Sequence, residues 1–312
     1  MAITNFTRGG TQTKTLDELL CSSSSMSRLQ QESLSFAAVN ILLSITAFVG
    51  NSLILVALHR ESSLHPPSKL LYRCLATADL LVGLVSQPLA ASGWMFAAHE
   101  HWIPCRYAST ATFITSYVSC GVSLLTIAAI SVDRLLAPLL RLKYRQIVTL
   151  KRTYIIVVTF WFLSSVAALC YAFDYRISIW YGTIAILLCY VISIVSYTKI
   201  FCALSHHHTR IQDHVQQQPS QPNAVNTTQY KKAVYSALWV QLALVVCYLP
   251  YGLLEILIRQ RKTYSSHLVI MRGVTTTVVH FNSTLNPFLY CWKISEMRQA
   301  VKQTIRQGFG CP

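Results

Sequence analysis

The sequence predicts an all-α membrane protein, a bundle of seven transmembrane helices followed by a short amphipathic helix on the membrane surface. Two observations carry this. Hydrophobic residues make up 53% of the 312 and charged residues only 12%, about half the charge of an average soluble domain. The apolar residues also fall into seven blocks, each near the ~20 residues that cross a hydrocarbon core of ~30 Å. These cover about 35–59, 69–91, 107–135, 153–172, 178–203, 232–258 and 266–291. Without water in the hydrocarbon region the backbone must bond internally, so the blocks are helices.

The basic residues set the topology. An odd number of spans puts the termini on opposite sides. With the N-terminus outside, 17 of the 26 Lys and Arg fall on cytoplasmic segments, as the positive-inside rule requires. Arg141, Lys143, Arg145, Lys151 and Arg152 crowd one loop, and Lys293, Arg298, Lys302 and Arg306 load the tail. The net charge of +15 is thereby explained by topology and anionic inner-leaflet lipid, not by nucleic acid.

Residues 1–34 read as a disordered outer tail, rich in Ser and Thr, with a glycosylation sequon at Asn5. No apolar leader precedes the first block, so that helix is expected to act as an uncleaved signal anchor. Residues 35–291 form the membrane domain. Its cytoplasmic loop at about 205–229 holds three consecutive histidines, a glutamine run and two prolines, and reads as flexible. Over 292–312, Ile294, Met297, Val301 and Ile305 recur at helical spacing opposite Arg298, Lys302 and Arg306, the pattern of an interfacial helix. Cys311 is a palmitoylation candidate beside the membrane. Cys74, Cys120, Cys189, Cys202 and Cys247 sit within apolar blocks and read as small packing residues. Cys21 and Cys105 lie on the oxidising side, where a bridge between them can form.

Polar groups inside the membrane are costly and mark function. Asp79 is mid-membrane, and Asn51, Ser123, Asn282, Ser283 and Asn286 lie at similar predicted depth. Such an oxygen set suits a hard cation such as sodium. Asp133-Arg134 stands at the cytoplasmic mouth of the third block, and Asn286-Pro287-Phe288-Leu289-Tyr290 closes the seventh.

With Gly50-Asn51, Leu75-Ala76-Thr77-Ala78-Asp79, Ser131-Val132-Asp133-Arg134-Leu135, Trp161 and Cys247-Tyr248-Leu249-Pro250, the chain resembles the rhodopsin-like, or class A, G protein-coupled receptors over about 35–306. The resemblance implies that Asp133 and Arg134 support engagement of a heterotrimeric G protein, with Tyr197 and Tyr290 rearranging around the arginine. Asp79, Ser123 and Asn282 would form the family's sodium pocket. Asn286 and Pro287 belong to the seventh-helix switch, and Pro250 would be the pivot of the sixth helix, because proline removes a backbone bond. The departures are Leu135 for the usual tyrosine, Tyr248 for the usual tryptophan, and no carboxylate near Tyr230 to lock Arg134. They imply a less restrained inactive state. The short loop at about 171–178 and the proline-free fifth helix look like the melanocortin, cannabinoid, lysophospholipid and adenosine receptor branch.

The same comparison constrains the extracellular ligand. Amine receptors place an aspartate 18 residues before the arginine; here it is Ser116. Opsins place a lysine six residues before the asparagine of the last motif; here it is His280. The expected pocket residues are Gln87, Ser116, Cys120, Tyr248, Tyr251, Glu255, Thr276 and His280, a mostly neutral set that suits a small neutral or lipid-like ligand. No nucleophile–base pair, HExxH or GxSxG supports an enzyme. The alternatives are a receptor-like protein that no longer couples, such as a decoy or heteromer partner, and a transporter, which would show repeats or paired broken helices.

Overall fold

The computed structural model describes residues 20–21, 30–60, 64–140, 143–171, 173–215, 224–260, 265–293 and 295–308. Eight helices organise them: α1 Gln30–Arg60, α2 Pro66–Ala98, α3 Trp102–Leu140, α4 Leu150–Cys170, α5 Tyr175–Val215, α6 Ala224–Gln260, α7 Ser266–Lys293 and α8 Ser295–Gly308. A one-turn helix, Tyr144–Ile147, lies between α3 and α4. Neighbours in sequence pack side by side from α1 to α7, and α7 returns against α1. The ring is therefore closed. α3 is its hub, touching α2, α4 and α5, while α8 lies under α1 and α7.

The polarity is inverted relative to a soluble bundle. Leu42, Ile45, Ile155, Phe162, Leu187 and Val191 point outward, each more than half exposed, while Asn51, Asp79, Ser123, Ser283 and Asn286 are at most 1% exposed. That is the arrangement expected of a protein whose solvent is hydrocarbon. Among the described residues, α1 to α5 are long and apolar enough to cross a membrane. α6 carries a shorter apolar segment, Leu242–Ile258. α7 is diluted by Thr275, Thr276, Thr277, His280, Asn282, Ser283 and Asn286, because it turns a polar face to the interior.

Two expectations need correcting. The helices run beyond the apolar blocks at both ends of the cytoplasmic loop, so only 216–223 of the expected flexible stretch at about 205–229 lies outside the described residues. Between Leu204 and Gln218 there is no glycine or proline to stop the helix; Pro219 and Pro222 lie outside the described residues. Cys202 is exposed, whereas Cys74, Cys120, Cys189 and Cys247 are buried as packing residues.

α2 is not regular. Over Val82–Ser86 it winds as a π-turn, and the Gln87 amide donates to the Val82 carbonyl. Pro88 explains this: its missing N–H cannot serve the preceding turn, and the wider turn accommodates the ring. In that register the Gly83 carbonyl loses its amide donor, and Ser44 Oγ of α1 replaces it at 2.7 Å. Gly83 is needed for that approach, since a Cβ there would lie 3.0 Å from the Phe48 backbone nitrogen.

The second close approach joins α1 to α7. A Cβ on Gly50 would lie 3.0 Å from Cγ and 3.1 Å from Cβ of Pro287. Gly50→Val should therefore wedge the two helices apart and lower stability by about 1–3 kcal/mol, read as a fall in melting temperature of the detergent-purified protein. An unchanged melting curve would show that the Pro287 segment yields freely.

Candidate functional site

Three helices build the interior polar centre. Asp79 of α2 is fully buried. Its Oδ1 accepts from Ser123 Oγ of α3 and Ser283 Oγ of α7, each at 2.9 Å, and its Oδ2 accepts from Asn286 Nδ2 of α7 at 2.7 Å. Ser283 and Asn286 are three residues apart, so they share one face of α7. Asn51 of α1 adds a fourth helix, with Nδ2 donating to the carbonyls of Ala47 at 2.9 Å and Ser283 at 3.0 Å.

Asn282 departs from the expected arrangement. One residue before Ser283, it is turned by about 100° around α7, and its buried amide makes no hydrogen bond among the described residues. The Oδ1 atoms of Asn51 and Asn286 are buried and unpartnered as well. A carboxylate, two hydroxyls and unsatisfied amide oxygens form a hard-oxygen donor set that fits a small monovalent cation. Among the described residues no cluster of His, Cys, Asp or Glu suits a transition metal.

Towards the other end of α3, Asp133 is buried and doubly held. Ser68 Oγ donates to Oδ2 at 2.8 Å and the Tyr144 hydroxyl to Oδ1 at 2.6 Å. Burial, and then the bond to Asp133, push the Tyr144 phenol up to about 12, so it remains a donor across the working range. Arg134 turns the other way: Nη2 donates to the Tyr72 hydroxyl at 3.0 Å, and the guanidinium carbon lies 5.6 Å from that ring's centre. The Tyr72 ring in turn meets Tyr290 edge to face at 5.3 Å. Arg134, Tyr72 and Tyr290 thus link α3, α2 and α7 at this end.

Sequence reasoning missed Tyr72, Ser68 and Tyr144. Tyr72 lies seven residues, two helical turns, before Asp79, on the same face. That spacing was the available signal. The side chain of Tyr197 lies outside the described residues, as do Tyr230's side chain, Asn5 and Cys311. Pro250 is exposed within α6, and Pro287 is buried within α7.

At the opposite end two adjoining cavities of about 110 and 100 Å³ share Tyr251 and Thr276 in their walls. Ser116, Cys120, Tyr248 and Glu255 line the inner one. Gln87 lines neither; it is fully buried, with neither amide atom hydrogen-bonded among the described residues. The π-turn is the reason: one extra residue rotates the rest of α2 by about 100°, so Ala90, Gly93 and Trp94 face the cavity instead. Glu255 is 4% exposed and paired with Arg272 of α7 at 3.1 Å. That partner was not foreseen. His280 sits behind the cavity, with Nε2 2.9 Å from Ser116 Oγ and Nδ1 3.4 Å from Asn40 Oδ1.

Ahead of α1, the described residues Leu20 and Cys21 lie at this end. Cys21 is bonded to Cys105 near the start of α3, with Cα atoms 5.8 Å apart, and packs with Ala97. Leu20 contributes to the wall of the outer cavity. Cys21→Ser and Cys105→Ser should each lower the melting temperature, and the double variant should lose no more than either single, because both partners belong to one bond. Additive losses would mean that the two cysteines act separately.

The comparisons with known proteins agree with this architecture. Residues 50–180 match the family model described as 7 transmembrane receptor (rhodopsin family). The chain is 23% identical to melanocortin receptor 5 of Ovis aries over 285 residues, covering 88% of this chain and 85% of that one. It is 25% identical to trace amine-associated receptor 9 of Homo sapiens, covering 83% and 80%, and 24% identical to adenosine receptor A2a of Canis lupus familiaris, covering 87% and 72%. The buried carboxylate joining α2, α3 and α7 and the arginine at the end of α3 agree with these matches: over residues 50–180 the chain is similar to the rhodopsin family of seven-transmembrane receptors.

Proposed function

We propose that this receptor sits in the plasma membrane with its N-terminus outside and converts binding of an extracellular ligand into activation of a heterotrimeric G protein. The observation that carries the reading is the contact chain Arg134–Tyr72–Tyr290. It ties the arginine at the end of α3 to the helix that also supplies Ser283 and Asn286 to Asp79. A shift of α7 therefore acts at both places. A ligand at the far end moves the equilibrium between two such arrangements only by its differential affinity for them.

Relatives named for a melanocortin, a trace amine and adenosine differ in ligand chemistry, so the cavity has to decide. Glu255 is neutralised by Arg272, and Ser116, bonded to His280, stands where amine receptors place a carboxylate. A cationic amine finds no unpaired counter-ion among the cavity's described residues. This supports a small neutral or lipid-like ligand, oriented by Ser116, Tyr251 and Thr276 against apolar walls.

Arg134→Ala should reach the cell surface at normal levels yet lose basal and ligand-driven G-protein activation. Unchanged signalling across the G-protein classes would remove Arg134 from the mechanism. Asp79, Ser123 and Ser283 would hold a sodium ion, which supplies a positive charge to the buried carboxylate. Raising sodium at constant ionic strength should then raise the melting temperature of purified wild type but not of Asp79→Asn. Equal melting in sodium and in a bulky organic cation would rule the site out.

A further inference from the structure

Behind the inner cavity a hydrogen-bond relay crosses α1, α7 and α3, and its direction is fixed at one end. Asn40 of α1 places Nδ2 2.9 Å from the Phe36 carbonyl. A carbonyl can only accept, so the amide nitrogen stands at that end and Oδ1 at the other. Oδ1 lies 3.4 Å from Nδ1 of His280, a residue 1% exposed. Two bare acceptors would repel there, so Nδ1 carries the ring proton. Nε2 is then an acceptor, and the Ser116 hydroxyl 2.9 Å away donates to it. A doubly protonated ring is disfavoured, because a buried charge needs an opposite one. Among the described residues its nitrogens meet only Ser116 and Asn40, both neutral.

Ser116 lines the inner cavity, yet its one proton is spent on His280, which lines neither cavity. Only lone pairs are left for a ligand. Two neighbours in the same wall are placed alike. The Tyr248 hydroxyl donates to the Cys120 carbonyl at 3.4 Å, and Glu255 is a carboxylate held by Arg272. We propose that the ligand donates a hydrogen bond to Ser116, and so belongs to the neutral alcohols, phenols or N–H amides rather than to ethers, esters or ketones. The choice of class rests on the neutral cavity described under the proposed function, whereas the relay is a property of the unliganded protein. His280 and Asn40 are positioning residues, acting on the ligand through the hydroxyl of Ser116.

Two measurements on the full chain purified in detergent test this. Magic-angle-spinning NMR of protein carrying isotopically labelled histidine, with His280 assigned by its loss in His280→Phe, should show a neutral ring protonated at Nδ1. Asn40→Leu should move that proton to Nε2, because the acceptor holding it is gone. A wild-type ring protonated at Nε2, or one still protonated at Nδ1 in Asn40→Leu, would overturn the relay. Ligand preference is read from thermal stabilisation by β-naphthol and by its methyl ether, which keeps the rings and lacks the donor. The naphthol should bind about tenfold more tightly to wild type, and about equally with the ether to Ser116→Ala and to His280→Phe, where Ser116 regains its proton. Equal binding to wild type, or an advantage that persists in both variants, would overturn the assignment to Ser116. Tighter binding of tryptamine, an organic cation, would overturn the ligand class at its premise, the neutral cavity, while the tautomer would still report the relay. Neither measurement involves a G protein, so a failure to signal leaves both results intact.

Discussion

One carboxylate constrains much of the bundle. Asp79 is buried where water is absent, and a group of that kind must be supplied with donors from its neighbours. α3 and α7 supply them, which fixes how each helix is rotated about its axis. Once Ser123, Ser283 and Asn286 face Asp79, the outward faces of the helices are left apolar, as hydrocarbon requires. The polar centre and the lipid-facing exterior are two results of one requirement.

The same rotations set the geometry near Arg134. Tyr72 is two turns from Asp79 on α2, and Tyr290 is one turn beyond Asn286 on α7. Both aromatic rings therefore fall on faces already turned inward, and they meet beside the guanidinium. Asp133, adjacent in sequence, is turned about 100° away and is held instead by Ser68 and Tyr144. A single polar dipeptide thus serves two neighbours on opposite sides of α3.

The fold and the polar centre were largely legible in the sequence. Polar residues in apolar blocks stand out, and depth in a membrane can be read from block length alone. Asp79, Ser123, Ser283 and Asn286 were recognisable for that reason. What depends on azimuth was harder. Asn282 and Ser283 have similar depth and differ only in rotation, and the structure brings only the serine to Asp79. Arg272 escaped notice because a basic residue near a helix end reads as an interfacial one, whereas here it neutralises Glu255. Gln87 was misplaced because the reading assumed an unbroken helix, although Pro88 was visible and proline is the known cause of such turns.

That π-turn has a broader consequence. It divides α2 into two segments whose angular phases are set separately. The inner segment is locked in phase by the carboxylate, which has partners on two other helices. The outer segment packs against α1 and α3 and lines the cavity, with Trp94 stacked on Phe36. A joint of this kind works as a clutch: the ligand-facing surface can be re-dealt one residue at a time while the signalling machinery below keeps its alignment.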